Sequence, residues 1–259
     1  MSILAAILVI FGSSLVAILI SIVVRRTIRL DLRRRHQEVG STVFLQIGVM
    51  FAVLLAFVFS EAFTEYNAAA QAINAECGDL HGAAMLAHDL PAGMGDRING
   101  AIATYVATVI NVEWPDMARQ RESLRADEDI HAVLDAIAQA EVERRQDVSV
   151  RDQILTLMAD AHAQRETRLF QMKNGVPPLL WALLIAFGLV LAAFVISAGI
   201  DSMMGQVLFS GLFAGCTALI LVMIRMLDYP FQGALALRPD DFAGTLAKVS
   251  GLVGRIGGI

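Results

Sequence analysis

The stretch Thr42–Phe63, TVFLQIGVMFAVLLAFVFSEAF, carries a single charged side chain, Glu61. At 1.5 Å per residue it is long enough for an α-helix to cross the ~30 Å hydrocarbon core of a bilayer. Inside that core a segment must satisfy its own backbone, which a helix does. Three more runs share the pattern: Ile3–Val24, Val176–Ile200 and Gly205–Leu227. The four fall into two pairs, with the largely polar stretch Glu65–Gly175 between them. Reading outward predicts an all-α fold: four transmembrane helices in a 2+2 arrangement, with a helical bundle inserted between the second and third. The expected divisions are 1–63 for the first helix pair, 64–175 for the insert, 176–228 for the second pair and 229–259 for a short amphipathic tail.

Composition agrees. Mean hydropathy is +0.62 and 17% of residues are charged, against about 25% in soluble domains. The formal net charge of -5 is unevenly spread. Arg25, Arg26, Arg29, Arg33, Arg34 and Arg35 crowd the first connection, opposed only by Asp31 and Glu38. Glu65–Gly175 holds 18 acidic and 10 basic side chains, a net charge of -8. Short arginine-rich loops stay in the cytoplasm. The first connection is therefore expected to be cytoplasmic, with the insert and both termini periplasmic in a bacterial inner membrane. The first run lacks a basic leader and a small-x-small cleavage site, so it reads as an uncleaved helix. The same arginines suit anionic lipid head groups, at about 1 kcal/mol per basic side chain.

The insert reads as helices at Glu65–Asp89, Met94–Glu113, Asp127–Arg145 and Ser149–Lys173, without strand patterns. Trp114-Pro115 is expected to stop the second of these, and Asp127 or Asp129 to cap the third. No proline falls between Ser41 and Asp89, so the second membrane helix should continue unbroken into the insert. Pro177-Pro178 suits the first turn of the third membrane helix, with Trp181 near the interface. In the tail, Phe242, Leu246, Val249 and Val253 mark a helix on the membrane surface or on the bundle.

Enzyme motifs are missing: no Gly-rich phosphate loop, Gly-x-Ser-x-Gly, His-Glu-x-x-His or Cys-x-x-Cys. The expectation is no enzyme, no cofactor, no metal site and no nucleic-acid partner. His81 and His88 are two turns apart, a long span for one ion. His36, His131 and His162 have no partner that spacing reveals. Cys77 and Cys216 read as small buried apolar residues.

Polar groups at membrane depth carry more information, because they are costly there. Gln46, Phe57, Ser60 and Thr64 fall near one face of the second helix, with Glu61 adjacent. They read as an ion pathway, or as interfacial residues. Arg225 and Asp228 are spaced to pair with each other at the outer mouth, or to reach Glu61; the interfacial alternative has Arg225 snorkelling to the head groups and Glu61 in water. Phe44, Phe51, Phe57, Phe59 and Phe63 suit either a dewetting constriction or helix packing.

Several short pieces, in this order, are similar to one family. They are Val39-Gly40-Ser41-Thr42-Val43-Phe44, Leu55-Ala56-Phe57 with Ser60-Glu61, Ala75-Glu76, Leu90-Pro91, Tyr105 and Glu113-Trp114-Pro115. The Arg165–Arg168 stretch, Pro178-Leu179-Leu180-Trp181 and Asp228-Tyr229-Pro230-Phe231-Gln232-Gly233 complete the series. Over Val39–Phe242 the chain resembles the bestrophin-like domain proteins of bacterial membranes. That resemblance implies a distant architectural kinship with bestrophins, which are pentameric anion channels with a 2+2 helix arrangement. It implies a homo-oligomer, by analogy a pentamer, passing small ions. Bestrophins hold their large helical domain in the cytosol, whereas the arginine cluster here predicts it outside. The insert's charge of -8 also argues against an anion-collecting funnel, since single-sign clefts concentrate the opposite sign. Cation and nonselective pathways therefore stay open. The rival expectation is a non-conducting sensor or scaffold whose periplasmic bundle binds an envelope partner.

Overall fold

The computed structural model of the chain describes residues 1–35, 37–91, 93–140 and 144–253, without the side chains of 31, 32, 35 and 37–39. His36 and the Arg35 side chain thus lie outside the described residues. All regular structure among the described residues is helical. Four helices are long and apolar enough to cross a membrane. The chain divides into two units, one of Met1–Glu65, Gly175–Tyr229 and Gly233–Leu235, the other of Tyr66–Asn174, Pro230–Gln232 and Ala236–Ile259.

In the first unit, α1 spans Ile3–Thr27. The Ser2 hydroxyl accepts the Ala5 N–H at 3.2 Å, capping one of the orphan donors of the first turn. Arg25 and Arg26 close its last turn, where cations complement the helix dipole. After the short α2, Leu30–Arg35, comes α3, Gln37–His88. Its 52 residues make about 78 Å of helix. It runs without a break through Phe63–Ala70, as the lack of a breaker there predicts. The later pair of spans is α8, Pro178–Ser197, and α9, Met203–Leu227. Pro177 caps α8 and Pro178 occupies its first turn, where a missing N–H leaves nothing unpaired. α1 packs chiefly on α9. A Cβ at Gly211 would lie 2.9 Å from Ile18 Cδ1, and one at Gly215 would lie 2.5 Å from Ser14 Oγ. Small residues here let two backbones approach, the usual basis of helix association in lipid.

The second unit begins with the C-terminal part of α3 and adds α4, Met94–Thr108, then a π-helical turn at Val109–Glu113 and the short α5, Trp114–Met117. α6, Leu124–Ala138, α7, Arg145–Lys173, and α10, Asp240–Val253, follow. Its core is apolar at helical spacing: Leu80, Ile98, Ile102, Ile130, Ile137, Ile154 and Met158 are fully buried. Gly95 is required, because a Cβ there would meet Ala87 O at 2.1 Å.

Two expectations fail locally. Trp114-Pro115 does not stop the helix: Trp114 stays αR, and its N–H reaches back five residues to Val109 O. The wider π turn accommodates the proline ring, so the helix bulges where it would otherwise break. The α6 cap is Ser123, not Asp127 or Asp129. Its Oγ accepts the Ala126 N–H at 3.3 Å, while both aspartates bond to other elements. The tail helix α10 packs on α4 through Phe242, Thr245 and Val249, taking the second of its two expected positions.

Candidate functional site

In the first unit, the polar residues singled out on α3 lie open. Gln46, Phe57, Ser60 and Glu61 are all exposed on the single chain, Phe57 to 61%. The Thr64 hydroxyl donates to Ser60 O at 2.9 Å, one turn on. The aromatic residues divide between two environments. Phe44 packs against Phe194 and Phe213, with ring centroids 6.1 and 6.5 Å away, and Phe51 is buried. Phe59 and Phe63 stack on each other at 6.3 Å.

Arg225 and Asp228 have separate partners. The Arg225 guanidinium lies 3.6 Å from the Tyr229 ring centroid, a cation–π contact. Asp228, buried, accepts the Val176 N–H at 2.5 Å and Trp181 Nε1–H at 3.4 Å. It ties the start of α8 to the end of α9. Gly175 leaves room for that carboxylate, since a Cβ would come within 2.9 Å of Oδ1.

The arginine cluster also has structural partners. Arg25 donates to Ile200 O at 2.9 Å and to Asp201 O at 2.5 Å. Arg33 is buried. It donates to Ser197 O at 3.2 Å, Ile196 O at 3.3 Å, Gln206 Oε1 at 2.8 Å and Ala198 O. Arg34 pairs with Asp201. Arg25 and Arg33 thus take up the orphan carbonyls at the C-terminus of α8 and its turn into α9, where cations are favoured, while Arg34 holds the Asp201 carboxylate of that turn. Arg26 and Arg29 are exposed.

The second unit holds a buried ionic network. Arg168 donates to both oxygens of Glu76, at 2.9 Å from Nε and 3.1 Å from Nη2. It also reaches Glu113 Oε2 at 2.9 Å. Its guanidinium stands 5.5 Å from the Trp114 ring and 5.2 Å from that of Phe242. Arg165 donates to Glu113 Oε1 and Asp127 Oδ1, both at 2.9 Å. The Tyr105 hydroxyl donates to Glu76 Oε1 at 2.6 Å. Glu76, Glu113, Arg165 and Arg168 are at most 1% exposed. Burial pushes the Glu76 carboxyl up against the pull of Arg168 and Tyr105. Burial lowers Arg168, but Glu76 and Glu113 outweigh it and hold the guanidinium charged. Burial, with the Glu76 charge beside it, lifts the Tyr105 phenol well above its ordinary range.

The expected helix stop at Trp114-Pro115 gives no hint of this network. A signal was present: Arg165 falls on the stripe Ile154, Met158, Ala161, Leu169, where helical spacing calls for an apolar residue. The π turn, which spacing does not announce, carries Glu113 inside.

His131 and His162, without a visible partner in the sequence, come together with ring centroids 5.9 Å apart. Among the described residues, no group of three or more His, Cys, Asp or Glu side chains could hold a metal ion. Both cysteines are free. Cys77 is buried as expected, but Cys216 is exposed on the single chain because it lies on an unpacked side of α9.

A family model described as a Bestrophin-like domain matches residues 11–242. No curated protein matches the chain. Among solved structures, a mutant of a bacterial bestrophin homologue from Klebsiella pneumoniae superposes with a TM-score of 0.74 at 14% identity, covering 95% of this chain and 99% of that one. Another structure of that homologue gives 0.72 at 14% identity, over 94% and 98%. At that identity the likeness is one of fold.

Proposed function

The chain belongs to the Bestrophin-like domain family, and from that premise we propose that it forms a homo-oligomeric ion pathway lined by α3. Family membership and four apolar helices make it a multi-pass membrane protein. The observation that carries the pathway reading is the open face of α3, on which Gln46, Phe57, Ser60 and Glu61 are all exposed. An amide, a hydroxyl and a carboxylate facing hydrocarbon would bear their desolvation cost. Facing water on an axis shared with other copies removes that cost. Phe57 supplies an apolar ring suited to closing such a path by dewetting.

The topology follows the arginines. Arg25, Arg33 and Arg34 bond to the α8–α9 turn, so the two short connections share one end of the first unit. In this reading that end is cytoplasmic, and Tyr66–Asn174 lies in the periplasm of a bacterium. The net charge of -8 on the insert supports a cation or nonselective path over an anion funnel.

Ion flux from liposomes holding the purified protein tests the reading: the pathway predicts leak above empty vesicles. The second reading, a non-conducting scaffold, draws on Leu124 and Phe170 of the second unit, 81% and 57% exposed. Tight liposomes would favour that reading, with these apolar side chains offered to an envelope partner.

A further inference from the structure

The membrane unit contains an apolar groove of about 480 Å³ between α1, α8 and α9. Along α8 it is lined from Ile185 to Ser197, and along α1 from Ser13 to Val24. Twelve residues of helix rise about 18 Å, slightly more than half of the ~30 Å hydrocarbon core. The groove therefore has the depth of one leaflet.

Its two ends differ. One is lined by apolar side chains such as Ile185 and Leu221. The other is lined by Val24, Ile196 and Ser197, next to the arginine-rich end. Arg25 follows Val24 directly, and Arg33 is bonded to Ile196 O and Ser197 O. Arg26 and Arg29 are exposed on the same connection. Among the described residues, Arg34–Asp201 is the one ion pair these arginines make. Arg25 and Arg33 meet neutral carbonyls and an amide, which leave their positive charge in place.

The geometry points to a binding site for an anionic phospholipid of the arginine-side leaflet, with one acyl chain in the groove and its phosphate at Arg26 and Arg29. A neutral tail site would not need these arginines at its end, and a topology signal alone would not need the groove. Small side chains, Ala192, Ala193 and Ala214, make the walls. Apolar burial along the chain drives occupancy, and the arginines choose the head group.

Native mass spectrometry of the detergent-solubilised assembly, titrated with phosphatidylglycerol or with phosphatidylcholine, tests this. The wild type should retain phosphatidylglycerol in preference. Arg26→Ala with Arg29→Ala, both exposed and free of packing, should weaken phosphatidylglycerol on the order of 20-fold and leave phosphatidylcholine unchanged. Ala193→Leu, with Ala193→Trp as the fuller plug, should lower retention of both lipids. Equal retention of the two lipids by the wild type would overturn the site. So would unchanged lipid binding with an altered oligomer mass in the Ala193 variants, which would give the groove to a neighbouring copy.

Discussion

Arg168 Nη2 donates to Glu113 Oε2 at 2.9 Å, and neither side chain is exposed to solvent. Glu113 reaches this position from a π-helical turn, and Arg168 from the apolar stripe of α7. Two arginines and two glutamates balance within the core of the second unit. Removing one partner leaves a buried charge unpaired, which costs about 3–5 kcal/mol. Arg168→Met should lower the thermal midpoint of the purified protein sharply. Pairing it with Glu76→Gln should cost less than the sum of the two single changes, because they share one network. Calorimetry of the three variants checks both statements.

Cys77 should be inert in the folded protein. Burial is the main cause pushing its thiol up to about 12, from 9.0. The thiolate is the nucleophile, so at pH 8 maleimide should modify Cys77 only after denaturation, in a Cys216→Ala background. A raised folded value stabilises the fold below the ordinary thiol range, and that contribution fades as pH climbs from about 9 to about 12. Melting across that range should show greater loss in the wild type than in Cys77→Ala.

The α1–α9 contact depends on its glycines. Gly215→Val would drive a methyl-bearing carbon into Ser14 Oγ, an overpacking that costs about 1–3 kcal/mol. The midpoint in detergent should fall. Gly48→Ala, where nothing lies within 4 Å of the added Cβ, should leave it nearly unchanged.

Membrane sidedness is checked by a cysteine at Gln139, an exposed position of the second unit, in a Cys77→Ala, Cys216→Ala background. An impermeant thiol reagent should label it in cells with an intact inner membrane. Labelling only after that membrane is breached would reverse the topology.

The membrane helices were legible because their signal is long and additive: some twenty apolar residues have one structural solution in lipid. The unbroken α3 was legible from the lack of a breaker between Ser41 and Asp89. What spacing could not convey was pairing across elements. Glu76, Tyr105, Glu113 and the pair Arg165 and Arg168 are far apart in sequence and meet only after α3, α4, the π turn and α7 pack. His131 and His162 came together in the same way. The Trp114-Pro115 rule failed because a π turn offers proline a second accommodation. The arginine cluster was legible as a charge pattern. Its bonds to Ile196, Ser197 and Ile200 were not, since backbone carbonyls leave no mark in a sequence.

The pathway reading rests most directly on Glu61. If α3 faces a shared axis, each copy adds one carboxylate to a ring at the mouth, where it acts on permeating ions at close range. Reversal potentials across asymmetric salt, measured on the reconstituted protein and on Glu61→Gln, test this. The account predicts a shift toward lower cation preference in Glu61→Gln. An unchanged reversal potential in a conducting protein would contradict it and remove Glu61 from the path.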